Sequence, residues 1–217
     1  MPAGLFTAHS KMSPYWWDHV PRPTLPAKPL PAKADVVVVG SGYTGLHAAL
    51  QTARGGRHTI VLDAEAAGFG CSTRNGGQIS TSIKPSFEDL ARRHGAERAA
   101  AIIRDGQASL AWTGEFVRTE RIACDFAVVG RFHAAHNPSQ FEALASKIAH
   151  QPKGLEVEAH VVPRSEQRRE LGTDAYHGGV VYARHASIDP ARSHDGLLRL
   201  VAAAGADVQG HCPATGI

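Results

Sequence analysis

Cysteine is scarce in this chain. Cys71, Cys124 and Cys212 are the only three among 217 residues, and their scatter and odd number argue against a disulfide framework and fit a reducing, cytoplasmic setting. No apolar stretch approaches the length of a membrane span, and residues 1–33 lack the charged start and apolar core of a secretory signal. Positive charge is not concentrated either. The net charge is +3 and no Lys/Arg cluster occurs, so nucleic acid is not an expected partner, although a sequence pI near 8.9 leaves room for a phosphate-binding surface. Histidine is plentiful, thirteen in all, yet His133 and His136 stand three apart on an expected strand, which points them to opposite faces. They are read as non-ligands, and no metal is expected. With 43% hydrophobic residues the chain can bury a core, as one large or two small domains.

What the chain does have is concentrated at residues 34–78, ADVVVVGSGYTGLHAALQTARGGRHTIVLDAEAAGFGCSTRNGGQ between Ala34 and Gln78. Val36 to Val39 are a β-branched run suited to a parallel strand buried on both faces. Gly40, Gly42 and Gly45, with Ser41, Tyr43 and Thr44 between them, spell GxGxxG. The first glycine allows the turn, the second lets backbone approach a pyrophosphate, and the third lets the next helix pack on the strand. That helix is expected over 44–54. Its N-terminus offers N–H groups and a dipole that favour negative charge, and Gly55 and Gly56 end it. A second apolar strand over 58–62 closes on Asp63 and Ala64, with the Asp63 carboxylate placed for bidentate contact with the hydroxyls of an adenosine ribose. GxGxxG alone is a weak signal. Strand before, helix after and acid in place make it a dinucleotide site.

The loop after the second strand, GFGCSTRNGGQ over 68–78, distinguishes between dinucleotides. Ser72, Arg74, Asn75, Gly76, Gly77 and Gln78 match a small-residue, Ser, Arg, Asn, Gly, Gly loop, with Thr73 inside it a further cofactor-binding candidate, so the unit resembles the amino-terminal part of the FAD-dependent amine and amino-acid oxidase family. That family includes D-amino-acid oxidase, glycine and sarcosine oxidases and the γ-glutamylputrescine oxidase type. The aromatic start SPYWWD at 13–18 is similar to the last branch. The resemblance implies that the loop runs beneath the flavin. Glycines and small residues let backbone pass close to a flat ring, and its N–H groups can reach a phosphate or ring acceptors. Ser72 and Arg74 can offset pyrophosphate charge; alternatively Arg74 braces the loop through its donor fork. Cys71 reads as a small filler. Some relatives attach flavin through a histidine in this loop, but none occurs between His58 and His94, so FAD is expected to be noncovalent.

Along the rest of the chain, 21–31 is proline-rich and reads as an extended surface arm, a mobile linker or a partner contact. Ser86 caps a short helix to Arg93, and a longer one runs from Gly95 to about Glu120 with Ile103, Leu110 and Val117 at core spacing. A strand is expected over 125–134, then a helix capped by Asn137 and Pro138 with Phe141, Leu144, Ala145 and Ile148 on one face. Leu155, Val157, Ala159 and Val161 alternate as a half-buried antiparallel strand, and 179–184 reads as another. Asp189 and Pro190 open a helix carrying Leu197, Leu200, Val201 and Ala204; Gly205 stops it before a strand at 207–211. By resemblance this helix and strand return to the FAD domain, and the backbone at Ala214 contacts adenine.

These readings give an α/β fold: a Rossmann-like FAD-binding domain with an inserted antiparallel-sheet (α+β) substrate domain, truncated at the carboxy terminus. The expected division is an arm over 1–33, the first part of the FAD domain over 34–120, a partial substrate domain over 121–186, and a return over 187–217. The resemblance implies oxidation of a C–N bond in a small amine or amino acid by hydride transfer to flavin. The alternatives are a catalytically inactive remnant or one subunit of a split oxidase completed by a second chain, and, less favoured by the RNGG loop, an NAD(P)-dependent dehydrogenase. Tyr176, Tyr182 and Arg184 either line the substrate side or serve as ordinary strand residues. No catalytic residue is assigned.

Overall fold

Four β-branched side chains in succession lose freedom in a helix and pack well on a pleated surface, and the valine run does form a strand. In the computed structural model, which describes residues 7, 9–25, 28–81 and 84–216, β1 (Val36–Val39) joins β2 (Thr59–Leu62) and β9 (Asp207–Gln209) in a parallel sheet ordered β1-β2-β9. Register runs from Val36 opposite Thr59 to Val39 opposite Leu62, and β2 pairs Val61 with Val208. The right-handed crossover expected between parallel neighbours is supplied by α1 (Tyr43–Arg54), which buries Leu46, Ala49 and Leu50. Here one expectation fails. β1 is not buried on both faces: it lies at the sheet edge, and Val37 and Val39 remain 54% and 61% exposed. A valine run reports β preference; it does not reveal whether a neighbour covers the strand.

The chain divides into two units. The first comprises residues 1–77, 121–124 and 189–217, the second 78–120 and 125–188. Residues 34–120 are therefore shared between them, parting after Gly77.

In the first unit α5 (Pro190–Ala203) packs on α1. Asp189 caps it, accepting from the N–H groups of Ala191 at 2.9 Å and Arg192 at 3.0 Å, and Pro190 occupies the first turn, where its missing N–H costs nothing. Leu197 and Val201 of its inner face are buried, and Ile122 fits against Gly196, where a Cβ would approach within 2.3 Å. Of the proline-rich arm, residues 26 and 27 lie outside the described residues, and Lys28 beyond them meets the parallel sheet. Lys28 reaches β9, its ammonium 2.6 Å from Asp207 and its backbone N–H 3.3 Å from the Gln209 side chain. Proline fixes the arm extended without fixing whether it docks, and the docking partners lie some 180 residues away.

The second unit holds α2 (Phe87–His94), α3 (Ala96–Thr119) and two antiparallel sheets. Ser86 caps α2 by accepting from Asp89 N–H at 3.1 Å, and Ala99, Leu110 and Val117 form the buried stripe of α3, with Ile103 half-buried. The strand expected over 125–134 is broken in two. β4 (Ala127–Val128) pairs with β8 (Ala186–Ser187), which also pairs with β3 (Gln78–Ile79), whereas β5 (Arg131–Ala134) belongs to the other sheet. Gly130, at φ +72°, makes the break. The second sheet is ordered β5-β7-β6, with β6 (Ala159–Val162) shorter than expected and β7 (Gly179–Tyr182) central. Between them α4 (Pro138–Ala149) starts at Asn137, whose side chain accepts from Gln140 N–H at 2.8 Å. Among the described residues no helix is long and apolar enough to cross a membrane.

Candidate functional site

The GxGxxG turn closes as its spacing requires. Gly40 sits at φ +96° and donates its N–H to Leu62 O at 2.7 Å, fastening the turn to the end of β2. Gly45 is the tightest point: a Cβ there would stand 2.0 Å from Gly40 O and 3.2 Å from a Val38 methyl, so only glycine lets α1 rise this close to β1. Gly42 is the N-cap of α1 and brings no side chain to the helix end. Apart from the Tyr43 N–H, that end therefore keeps its first-turn N–H groups for whatever approaches, with Thr44 exposed on the first turn.

Ser41 is the hub beneath this turn. It is fully buried. Its N–H and hydroxyl both donate to Asp63 Oδ2, at 2.7 and 2.5 Å; its Oγ accepts from Gly68 N–H at 3.0 Å; and its carbonyl accepts from His194 Nε2 at 2.7 Å. One serine thus ties together the glycine turn, the end of β2, the start of the second loop and α5. Since a carbonyl only accepts, His194 carries its proton on Nε2, and Nδ1 is left buried without a hydrogen-bond partner. Burial pulls the His194 pKa below its ordinary value. Gly68, at φ +73°, lies flat on the imidazole, where a Cβ would be 2.4 Å from Cε1. Nearby, Tyr43 donates its hydroxyl to Pro190 O at 2.7 Å, and burial pushes its pKa up to about 12.

Asp63 is more heavily engaged than the sequence suggests. Oδ2 takes both Ser41 donors and Oδ1 takes the Glu65 N–H at 3.0 Å. Two lone pairs per oxygen leave one acceptor position, on Oδ1, for a ligand hydroxyl instead of a bidentate grip. Ala64 beside it is exposed.

The second loop returns to the helix end. A short 3-10 turn, Cys71–Thr73, sets Ser72 so that its Oγ accepts from Tyr43 N–H at 3.0 Å, leaving the hydroxyl proton to donate elsewhere. Asn75 holds the bend by donating to Cys71 O and Ser72 O and accepting from Gly77 N–H at 2.9 Å. Thr73 is buried and donates to Gly68 O at 2.7 Å. The Arg74 guanidinium stacks on aromatic faces, 3.9 Å from the Phe69 centroid and 4.6 Å from that of Trp17. Gly76 is exposed and Gly77 buried at φ +70°.

The structure thus gathers Gly40, Ser41, Gly42, Tyr43, Thr44, Gly45, Asp63 and Ser72 at one end of the parallel sheet. Gln78 opens the second unit as the first residue of β3, opposite Ser187 of β8. Ala214 is exposed in the segment after β9. In the second unit Tyr182 and Arg184 line a cavity of about 350 Å³ with Gln107 and His185, and Tyr176 packs its ring 5.5 Å from His136. Among the described residues no group of His, Cys, Asp or Glu is arranged to hold a metal. The sequence reading missed Gly68, His194 and the two indoles of Trp16 and Trp17. Their partners are 27 to 153 residues distant, and only the unusual YWW run hinted at any of them.

A family model described as FAD dependent oxidoreductase matches residues 35–217. The chain belongs to this family. FAD is the family's cofactor. Among curated proteins the chain is 30% identical over 194 residues to the probable oxidoreductase OrdL of Rhizobium meliloti, covering 86% of this chain and 44% of that protein. It is 32% identical over 152 residues to the gamma-glutamylputrescine oxidoreductase of Escherichia coli, covering 68% and 34%. The fold is similar to that of glycine oxidase from Geobacillus kaustophilus, with a TM-score of 0.70 at 15% identity over 82% of this chain and 46% of that one. The fold class is therefore that of the FAD-dependent oxidases, and the chain spans less than half the length of the curated relatives it matches. The residues of this member fit the cofactor. The helix end is bare at Gly42, where a Cβ would come 3.0 Å from Ser72 Oγ and fill the cradle, and a serine hydroxyl with a proton to give stands beside it.

Proposed function

We propose that this chain is the FAD-binding part of an oxidoreductase that oxidises the C–N bond of a small amine or amino acid. The observation that carries the reading is the convergence of Ser72 Oγ on the α1 N-terminus, 3.0 Å from Tyr43 N, across a Gly42 that leaves the backbone open. In this reading the N–H groups of Thr44 and Gly45 and the Ser72 hydroxyl hold the pyrophosphate. Asp63 offers its remaining Oδ1 lone pair to a ribose hydroxyl beside Ala64, and the Ala214 backbone meets the adenine. The backbone of Thr73, Asn75, Gly76, Gly77 and Gln78 lies toward the flavin. Arg74, stacked on two rings, braces the loop. Bound noncovalently, FAD supplies the hydride acceptor, while the protein orients it and excludes water. An amine or amino-acid substrate is in keeping with the gamma-glutamylputrescine oxidoreductase and the glycine oxidase to which the chain is similar. The three cysteines are free thiols, in keeping with a cytoplasmic location.

The exposed Val37 and Val39 on the edge of β1 favour a second reading in which a further polypeptide covers that face, making this chain one part of a split oxidase. Titration with FAD, followed by addition of amines and amino acids under anaerobic conditions, tests both. One equivalent of bound flavin that bleaches with substrate supports an active oxidoreductase; bound flavin that never bleaches leaves the cofactor assignment standing and overturns activity of the chain alone.

A further inference from the structure

We propose that Trp16 and Trp17 form an aromatic clip that fixes the 71–77 loop in its cofactor-binding shape, making them positioning residues for FAD. The inference rests on the FAD-binding reading above. The loop that must meet the cofactor is rich in glycine and small residues, which suits close approach and makes it entropically costly to order. Its own side chains supply few restraints beyond those of Thr73 and Asn75. Beside the Ser72 contact with Tyr43 N–H and the Phe69 ring under Arg74, further restraints come from a 3-10 turn, Tyr15–Asp18, more than 50 residues upstream. Trp16 Nε1 donates to Asn75 O at 2.8 Å, and Trp17 Nε1 donates to Thr73 Oγ1 at 2.8 Å. An indole N–H can only donate, so both tryptophans spend their single polar group on this loop.

Between those two anchor points lies Arg74. Its guanidinium is stacked over the Trp17 ring at 4.6 Å and the Phe69 ring at 3.9 Å, and the two rings themselves meet at 5.7 Å. Planar stacking of this kind orients an arginine as well as attracting it. Three consecutive residues, Thr73, Arg74 and Asn75, are therefore held from one side by one short turn, immediately after Ser72 at the helix end. The turn is itself anchored: Lys11 and Asp18 pair at 2.9 Å, and Tyr15 packs edge-on against Trp16 and His19. The aromatic start of the chain is thus part of the cofactor site's frame, joined to it by donors and rings and not merely adjacent in the fold.

The test uses Trp16→Phe, Trp17→Phe and the double variant, each compared with the unaltered chain for FAD affinity, ADP affinity and amide exchange across 71–77. ADP occupies the turn and helix end without reaching the part of the loop beneath the flavin. The clip predicts faster exchange confined to 71–77 and FAD binding weaker by roughly tenfold per single variant, the scale of one lost hydrogen bond. ADP affinity should change by less than about threefold, and the unfolding midpoint should stay close to that of the unaltered chain, Trp16→Phe being the milder change. Unaltered FAD affinity and exchange in both single variants would overturn the clip, as would an equal loss of FAD and ADP, which marks general destabilisation. If the unaltered chain binds neither nucleotide, the FAD-binding reading falls. The exchange measurement then decides the clip separately: acceleration confined to 71–77 supports it and unchanged exchange overturns it.

Discussion

The two units differ in what they bury. Among the described residues, the buried polar side chains of the first unit are Ser41, Thr59, Thr73, Asp189, Ser193, His194 and Gln209; those of the second are Gln167 and His185. Both units bury aliphatic cores, but the first joins its separate loops through several buried polar groups, whereas in the second His185 alone of the two reaches a distant segment, meeting Thr81 through Nε2. Ser41 alone links the glycine turn, Asp63, Gly68 and His194. Gln167, by contrast, serves its own neighbourhood, bonding Thr173 O and Gly178 N–H. Loops that hold a ligand must keep one shape without the regular ladder of a sheet, and buried, satisfied polar networks confer that uniqueness. The contrast is in keeping with the proposal that the first unit holds the cofactor.

The contrast can be broken first at Gly45. Gly45→Val places a Cβ against Gly40 O and should destabilise the first unit by about 4 kcal/mol or more, read as loss of its unfolding transition in chemical denaturation. Next comes the hub. Asp63→Ala strips the acceptor from Ser41 N–H, Ser41 Oγ and Glu65 N–H, and should cost about 3 kcal/mol through unsatisfied donors; an effect under about 0.5 kcal/mol would show that the loops are held by other means. In the second unit, Val180→Ala removes two methyl groups from the central strand of the β5-β7-β6 sheet and should cost roughly 2 kcal/mol. Its signature is a packing loss in the second unit, with the 71–77 amides exchanging as before.

The smallest effect is one of pH. His194 has its folded-state pKa lowered by burial, so the unfolded chain binds a proton more readily than the folded one. Its contribution is intact above the ordinary value of 6.5 and is lost as pH falls below it toward the lower folded pKa. His47, His133 and His185 are lowered in the same direction. Stability should therefore decline as the pH falls below about 6.5. In His194→Gln the decline should be shallower by one group's share, as read from thermal unfolding against pH.

Much of the first unit was legible because its motif is local. Gly40, Gly42 and Gly45 specify a turn within six residues, and Asp63 closes β2 where the spacing places it. Capping was equally readable at Ser86, Asn137 and Asp189, since a cap bonds a backbone two or three residues away. The failures share a cause. The edge position of β1, the break at Gly130, the docking of Lys28 on β9 and the His194 contact with Ser41 all depend on partners remote in sequence. For Asp63 the spacing revealed the residue's position, while the engagement of Oδ2 by both Ser41 donors required the tertiary structure.

The most direct test of the central claim is a titration of the purified chain with FAD beside its Gly42→Val variant, followed by flavin fluorescence. A valine at 42 would project into the space before Ser72 Oγ at the helix end, where backbone approach to the pyrophosphate is required. One equivalent bound by the unaltered chain, with affinity lower by on the order of 100-fold in a folded Gly42→Val, is the predicted result. Equal uptake by both would contradict the assignment of the turn, and no uptake by either would contradict FAD binding by this chain.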